Sequence, residues 1–298
     1  MKIQYQEKRF ARKSLDIIER AEAIMDEYTG QGFDLTLRQL YYQFVARGLL
    51  ENSQKSYKRL GSIINDARLA GMLSWTTIVD RTRSLKGLAH WNSPASIIES
   101  SAYSYREQKW SDQPVRIEAW IEKDALIGVI SGVCNELEID FFSCRGYTSQ
   151  SEIWKAARRF KRYNDRGQRV IVLHLGDHDP SGIDMTRDIR DRLAMFGADV
   201  EVRRIALTHA QVLHYAPPPN PAKLTDSRAA DYVAQYGYES WELDALEPDV
   251  MSNLIRDEVL DERDEDLWEA ALDHERGQKA VLSQCAERWE EVVRYLGE

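Results

Sequence analysis

The segment from Val170 to Asp184, VIVLHLGDHDPSGID, constrains the fold more than any other part of the sequence. Its first half is β-branched and aliphatic, which predicts a buried strand ending at Leu175. Two aspartates, Asp177 and Asp179, follow the strand. Because side chains alternate faces along an extended segment, these carboxylates are expected to point the same way. Such a pair suits a hard divalent cation, although acids at this position also serve as ordinary turn residues.

A second acid ends an earlier strand, in the segment VRIEAWIEKDALIGVI. Residues 115–121 alternate as a strand, Glu122 closes it, and a helix is predicted over 123–137. The next predicted elements are a strand, a helix and a further strand, at 139–143, 149–163 and 200–207. This β-α-β-α-β-α order indicates an α/β fold with a mostly parallel sheet. Since the carboxyl ends of parallel strands share one edge, Glu122 is expected to join the two aspartates in an acidic triad.

Taken together, IEKDAL and, about fifty residues later, GDHDPSG resemble the TOPRIM domain, a metal-binding, Rossmann-like module of topoisomerases, primases and some nucleases. In that family a Glu and a D-x-D hold Mg²⁺. The resemblance therefore implies Glu122, Asp177 and Asp179 as ligands of Mg²⁺, with Mn²⁺ as an alternative. Pro180 and Gly182 make the motif most similar to the A subunit of topoisomerase VI and the related meiotic double-strand-break proteins.

The charge is distributed unevenly along the 298 residues, whose net charge is −9. Residues 1–110 carry 17 Lys/Arg and 12 Asp/Glu, a net of +5, whereas 111–298 carry 23 and 37, a net of −14. A basic first part on an acidic body is typical of a nucleic-acid-binding module joined to another domain. Acidic C-terminal helices would produce the same average. We therefore expect two domains, 1–110 and 111–298.

The sequence favours an intracellular protein. No run of about 18 apolar residues occurs, and the first residues lack the apolar stretch of a signal peptide. Cys134, Cys144 and Cys285 are scattered, so neither disulfides nor a zinc site are expected. These features predict a cytoplasmic, nucleoid-associated protein with no membrane partner.

The first domain has the element order of a winged helix-turn-helix. Helical periodicity covers 12–28, Thr36 caps a second helix ended by Gly48, and a third helix is predicted over 55–70. Residues 75–87 then alternate as a short hairpin or wing. In such a module the third helix enters the major groove and the wing meets phosphates, although a merely solvated basic helix has the same composition.

The candidate DNA contacts are all basic. Those on the third helix are Lys55, Lys58, Arg59 and Arg68, and those on the wing are Arg81, Arg83 and Lys86. The turn CRGYTS resembles a K/R-G-x turn near the metal site of TOPRIM relatives, which implies a phosphate contact for Arg145.

The motif LRQLYY resembles the R-x-x-Y-Y motif in the winged-helix domain of topoisomerase VI A subunits. Its second aromatic position carries the nucleophilic tyrosine, which implies Tyr42. Arg38 lies four residues earlier on the same helical face, where a guanidinium favours the phenolate and can hold a phosphate. Tyr41 is expected to pack into the core. Tyr42 could equally be a core residue of an amphipathic helix.

The resemblance implies a type IIB topoisomerase-like transesterase. Tyr42 would attack double-stranded DNA to give a 5′-phosphotyrosyl link, assisted by Arg38 and Glu122, and a homodimer would make a double-strand break. In the family, the tyrosine of one protomer meets the metal site of the other. No Walker loop occurs, so ATP use would need a separate ATPase B-type subunit, and compact stand-alone mini-A proteins are most similar. Two alternatives stay open: a hydrolytic TOPRIM endonuclease and a non-catalytic DNA-binding protein.

Three further residues have weaker predictions. Lys123 is expected either to contact phosphate or to be a solvated cation at a helix start. The segment WELDALEP resembles a stretch that follows the metal motif in this TOPRIM branch, and its acids Glu242 and Asp244 are expected to cap helices or serve an interface.

Overall fold

The computed structural model describes residues 1–79 and 87–297 and shows a mixed α/β protein. The N-terminal helices are α1 (Arg12–Gly30), α2 (Leu37–Ala46), α3 (Gln54–Leu69) and α4 (Pro94–Ser104). The central elements are β1 (Val115–Ile121), α5 (Ile127–Glu136), β2 (Asp140–Ser143), α6 (Gln150–Asn164), β3 (Arg169–Leu175), α7 (Pro180–Met195) and β4 (Glu201–Ala206). The C-terminal elements are α8 (His209–Tyr215), β5 (Asn220–Pro221), α9 (Ala229–Tyr236), β6 (Glu239–Ser240), α10 (Pro248–Glu262), α11 (Glu265–Glu287) and α12 (Trp289–Leu296).

The central sheet is parallel, with strand order β2-β1-β3-β4. From β1 the chain first moves outward to β2 and then returns across β1 to β3, so the strand order reverses between β1 and β3. Crevices for ligands form at such a switch point, at the carboxyl ends of the strands. There Ile121 pairs with Leu175, and the backbone N–H of Glu122 donates to the Leu175 carbonyl at 2.8 Å.

Helices cover both faces of the sheet. Alternate residues of β1 and β3 pack with α5 and α10 on one face, and their neighbours pack with α6 and α7 on the other. The second face includes a buried acid, Glu118, which accepts hydrogen bonds from Arg159 of α6 at 2.7 and 2.9 Å and from the Trp120 indole at 2.9 Å. This contact fixes α6 against the sheet.

A separate core joins α1, α2 and α3 and extends to Ile78. Thr36 caps α2 as predicted, because its hydroxyl accepts from Gln39 N while the Gln39 side chain accepts from Thr36 N. The predicted spans of all three helices agree with the observed ones to within two residues. Short helical turns at Asp124–Leu126 and Leu243–Ala245 complete the described elements, and α2 packs against the second of them.

Most of the predicted wing at 75–87 lies outside the described residues, so the winged helix stays a prediction. The described residues between α3 and α4 form single bridges, including Leu35 with Ile78. The predicted wing residues Arg81, Arg83 and Lys86 lie outside the described residues. Helix α4 was not predicted, and it packs against the distant α11 instead of joining the first core. In the described part of the chain no helix is long and apolar enough to cross a bilayer.

Candidate active site

Glu122 and Asp177 meet where β1 and β3 end. The backbone N–H of Asp177 donates to Glu122 Oε2 at 2.8 Å. Gly176 separates β3 from Asp177, and an added Cβ there would make tight contacts, at 3.0 Å from Glu122 Oε2 and 3.2 Å from His174 Cε1. Glu122 and Asp177 therefore lie at the same edge of the sheet, as expected.

Arg204 on β4 holds the backbone of the loop between β3 and α7. Its guanidinium donates to the carbonyls of Gly176, Asp177 and Gly182 at 2.9, 2.5 and 2.9 Å. Burial lowers the pKa of Arg204, while the charges of the nearby acids oppose that change. Arg204 therefore supplies a positive charge beneath the acidic loop, a role that its position in the sequence did not indicate.

The two aspartates do not act as a strand pair. Because β3 ends at Leu175, Asp177 and Asp179 lie in a loop where strand alternation no longer applies. Asp179 caps α7, with its Oδ1 accepting from Gly182 N at 2.6 Å. Asp177 Oδ1 instead accepts from Leu243 N at 2.7 Å and lies 2.9 Å from Lys123 Nζ. Loop contacts with different partners, and not strand alternation, therefore fix the two carboxylates.

Lys123 is neither a solvated cation nor a free phosphate contact. Its ammonium lies 2.9 Å from Asp177, 3.1 Å from Glu242 and 2.8 Å from Asp244. Burial opposes its charge, but the three carboxylates outweigh burial and raise the pKa of Lys123. Lys123 thus neutralises part of a cluster that contains more acids than the predicted triad.

The segment WELDALEP supplies the extra acids. His178 and Trp241 exchange backbone hydrogen bonds at 2.8 and 3.0 Å, which places the segment beside the D-x-D loop. The His178 ring is buried and its Nδ1 lies 2.9 Å from the Tyr232 hydroxyl. Glu242 and Asp244 then turn toward Lys123. Burial would raise the pKa of Glu242, but Lys123 and Arg38 lower it to about 2.

The acidic cluster suits a divalent cation in its chemistry, although its carboxylates do not already converge. Among residues 1–79 and 87–297, no three His, Cys, Asp or Glu side chains form a ready-made metal site. Within these residues, Glu122 accepts hydrogen bonds at Oε2, and Asp177 and Asp179 accept them at Oδ1. The second carboxylate oxygen of each residue is therefore free to bind a hard cation. Burial, followed by the Asp177 charge, raises the pKa of Glu122 to about 7, and a bound cation would relieve this crowding.

Tyr42 is connected to the acidic cluster of the same chain through Arg38. Nη2 of Arg38 lies 3.4 Å from the Tyr42 hydroxyl and 2.6 Å from Glu242 Oε2. The same Glu242 oxygen is 3.1 Å from Lys123 Nζ, which is 2.9 Å from Asp177 Oδ1. Because successive contacts share atoms, Tyr42 Oη lies no more than about 12 Å from Asp177 Oδ1.

The Tyr42 phenol is buried but borders a cavity. Only 3% of the residue is exposed, and the cavity of about 250 Å³ is also lined by Arg38, Tyr57, Asn220 and Glu242. Burial and the Glu242 charge raise the pKa of Tyr42 to about 12, although Arg38 and a hydrogen bond from Asn220 act in the opposite direction. The expectation that Arg38 favours the phenolate holds for its own contribution, but burial outweighs it. Neighbouring Tyr41 packs in the core, as predicted.

The predicted DNA contacts fall into two groups. Lys55, Lys58 and Arg59 are exposed on α3. Arg68 differs, because its guanidinium stacks on the Trp75 ring and donates to the Trp75 carbonyl at 2.8 Å. We therefore remove Arg68 from the DNA-contact set. Arg145 is largely exposed and pairs with Asp124 at 3.1 Å.

Sequence reasoning missed Arg204 and gave Glu242 and Asp244 only structural roles. Acids that alternate with apolar residues in WELDALEP were a usable signal, since buried charges require partners. The partners themselves are distant in sequence and become apparent only in the fold. The chain matches no protein-family model and no curated protein.

Proposed function

We propose that this protein is a metal-dependent DNA-cleaving transesterase in which Tyr42 is the nucleophile. One observation carries the proposal: Tyr42, Arg38, Glu242, Lys123 and Asp177 form a continuous chain of contacts at the switch point of the sheet. A phenol, a guanidinium and several carboxylates within about 12 Å are the groups that phosphoryl transfer to tyrosine requires. The same proposal includes a winged-helix domain in residues 1–110 and a TOPRIM domain in residues 111–298.

The reaction is a transesterification at a DNA phosphate. Tyr42 Oη forms a bond to phosphorus while the bond from phosphorus to the 3′-oxygen breaks, leaving a 5′-phosphotyrosine and a 3′-hydroxyl. The phenolic proton passes to water, and the departing 3′-oxygen takes one from water. Arg38, already 3.4 Å from the hydroxyl, would donate to the phosphate and stabilise charge on the phenolate.

Glu122, Asp177 and Asp179 are the residues that would hold Mg²⁺ or Mn²⁺. When bound, the cation would neutralise phosphate charge and stabilise the 3′-oxygen. Lys123, which lies 2.8 Å from Asp244, would donate to the phosphate. Glu122 would assist proton transfer at the 3′-oxygen.

The proposed DNA surface begins on α3. Lys55, Lys58 and Arg59 would meet the duplex, Arg145 would meet a phosphate near the acids, and Arg81, Arg83 and Lys86 remain candidates by sequence. We propose a homodimer as the working unit, because two half-sites are needed to cut both strands. A separate ATPase subunit would be required for strand passage but not for cleavage.

A hydrolytic nuclease is the second candidate, and the burial of Tyr42 favours it. A phenol that is 3% exposed, with its pKa raised to about 12, must gain access and lose its proton before it can attack. A metal-activated water at the same carboxylates would avoid both requirements. In that case Tyr42 would be a core residue that positions Arg38.

The test is a cleavage assay on end-labelled supercoiled and linear DNA with Mg²⁺, Mn²⁺ or EDTA, stopped with SDS and divided for proteinase K treatment. Wild type would be compared with Tyr42→Phe, Asp177→Ala and Tyr57→Phe. Tyr57 is the matched control, since it lines the same cavity and its hydroxyl has no hydrogen bond to the described residues. We expect breaks with protein on the 5′ ends that disappear in Tyr42→Phe and Asp177→Ala but persist in Tyr57→Phe.

Two other results would change the assignment. Free-ended breaks that survive Tyr42→Phe but not Asp177→Ala would establish the hydrolytic nuclease. Binding without cleavage under every metal condition would favour the non-catalytic DNA-binding protein.

A further inference from the structure

Helix α6 carries two kinds of basic residue. Three of them pair with acids: Lys155 with Glu152 at 2.7 Å, Lys161 with Asp165 at 3.0 Å, and Arg159 with Glu118 at 2.7 Å. The other two, Arg158 and Arg162, are exposed, and no acidic side chain in residues 1–79 or 87–297 pairs with either. Arg162 is four positions after Arg158, so the two lie on one face of the helix, about 6 Å apart along its axis.

Two further residues continue the four-residue spacing. Trp154 precedes Arg158 by four residues and is 51% exposed. Arg166 follows Arg162 by four residues, in the turn after α6, and is also exposed. We call Trp154, Arg158, Arg162 and Arg166 the α6 strip.

The direction of the α6 strip is fixed by the packing on the opposite side of the helix. Ile153, Ala157 and Phe160 are buried against the sheet, and Arg159 is held by the buried Glu118. The strip therefore faces outward from a rigid element, on the sheet face opposite α5 and α10.

The arginines of the α6 strip lie in the acidic part of the chain. Residues 111–298 have a net charge of −14. On the adjacent helix α7, Arg187 pairs with Asp184 and Asp191, each at 2.7 Å. Three neighbouring guanidinium groups without acidic partners repel one another. A bound polyanion would relieve this repulsion, and the counterions that it releases would favour binding further.

We propose that the α6 strip binds a single strand of nucleic acid. The arginines would contact successive phosphates, and Trp154 would stack on one base. A duplex fits less well, because a paired base cannot offer its face to an indole, whereas a cationic row with an exposed aromatic side chain is the usual arrangement for single strands. The strip is separate from the residues proposed for cleavage and does not depend on that activity.

The test compares two double variants that remove the same charge from the same helix. Arg158→Gln with Arg162→Gln removes the unpaired cations, and Lys155→Gln with Lys161→Gln removes paired ones. Binding of a labelled oligothymidylate and of a duplex of equal length would be followed by fluorescence anisotropy over a range of salt concentrations. Circular dichroism melting would confirm folding, and Arg162→Gln alone would replace the first double variant if it fails to fold.

We expect the arginine double variant to weaken oligothymidylate binding about tenfold or more and to reduce the slope of log affinity against log salt by about 1.4, whereas the lysine control changes little. Trp154→Ala should weaken single-strand binding about tenfold and leave duplex binding unchanged. Equal losses in the two double variants, an unaffected Trp154→Ala variant, or an equal loss of duplex binding would each overturn the proposal.

Discussion

At the scale of single residues, Arg38 decides how the Tyr42 hydroxyl behaves. Its guanidinium lies 3.4 Å from the phenol, and it acts against the burial that raises the pKa of Tyr42 to about 12. We predict that Arg38→Gln slows cleavage about ten- to a hundredfold, because a hydrogen bond to a charged group contributes about 1.5–3 kcal/mol. Rates of covalent complex formation, measured at saturating DNA, would check this.

Arg47 provides the control for that prediction. It follows α2 in the chain, is partly exposed and pairs with Glu27 at 2.9 Å, away from the Tyr42 hydroxyl. Arg47→Gln should therefore cleave at nearly the wild-type rate. Similar losses in the two variants would mean that Arg38 acts through the fold or the overall charge rather than on Tyr42.

Individual residues also show where sequence reasoning reached its limit. Tyr42 and Arg38 share a helical face, so the local period of the helix was enough to bring them together. Lys123 could not be assigned, because its partners Glu242 and Asp244 lie about 120 residues away. Burial was the other open quantity, because the local pattern allowed Tyr42 to be either a core residue or an accessible nucleophile.

At the scale of elements, the loop between β3 and α7 depends on Gly182. Its conformation is ordinary, but an added Cβ would lie 2.2 Å from the Asp177 carbonyl oxygen. We predict that Gly182→Ala lowers the free energy of unfolding by about 1–3 kcal/mol and shifts Asp177. Urea unfolding and metal-dependent cleavage would measure the two effects.

Gly132 in α5 gives the opposite expectation and serves as the control. A Cβ there would meet nothing within 4 Å, so Gly132→Ala should leave stability unchanged or raise it by up to about 1 kcal/mol. If Gly182→Ala proved as stable as Gly132→Ala, the loop would be more adaptable than its contacts indicate.

The regular elements were largely predictable, whereas the connections between them were not. β3 was recognised from its apolar run, β1 from alternation, and α2 from its Thr36 cap. The wing was also predicted from alternation, and it stays a prediction because most of its residues lie outside the described part of the chain. Helix α4 was missed although its start is marked locally, by Ser93 as a cap and Pro94 in the first turn. Its packing against α11, far along the chain, is apparent only in the fold.

At the scale of the whole molecule, the N-terminal helices meet the α/β part at a pH-sensitive contact. Gln43 of α2 donates to Glu247, the cap of α10, at 2.8 Å. Burial, with the charges of Asp249 and Glu27, raises the pKa of Glu247 to about 7. When the pKa of an acid is higher in the folded than in the unfolded protein, folding becomes less favourable as pH rises between the two pKa values. For Glu247 the unfolded pKa is about 4.3.

We therefore predict that Glu247→Gln makes the protein more stable than wild type above about pH 7, with the advantage vanishing near pH 4. The substitution retains an oxygen that can accept from Gln43. Urea unfolding in EDTA across this pH range would give the free energy of unfolding of both proteins. The difference between them cancels the similar contribution of Glu122, which both contain. A constant difference at all pH values would show that Glu247 does not titrate with folding.

The tyrosine and the acids of one site come either from the same chain or from two chains. The contacts described here join Tyr42 to Asp177 within a single chain, whereas the family resemblance implies that the tyrosine of one protomer serves the acids of the other. The two arrangements differ in what a mixed dimer of Tyr42→Phe and Asp177→Ala chains can do. If each site lies within one chain, both sites of that dimer are inactive. If the sites are shared, Tyr42 of the Asp177→Ala chain meets the intact acids of the Tyr42→Phe chain, and one of the two sites is active.

We predict no cleavage by the mixed dimer, purified through a different tag on each chain. A mixed dimer of wild type and Tyr42→Phe is the control and should retain about half of the single-strand cleavage, since one of its two symmetric sites is intact. Restored cleavage in the first dimer would mean that Tyr42 leaves Arg38 and Glu242 on dimerisation to reach the partner's acids. The contacts of Arg38 with Glu242 would then maintain an inactive monomer, and breaking them would be the step that couples assembly to DNA cleavage.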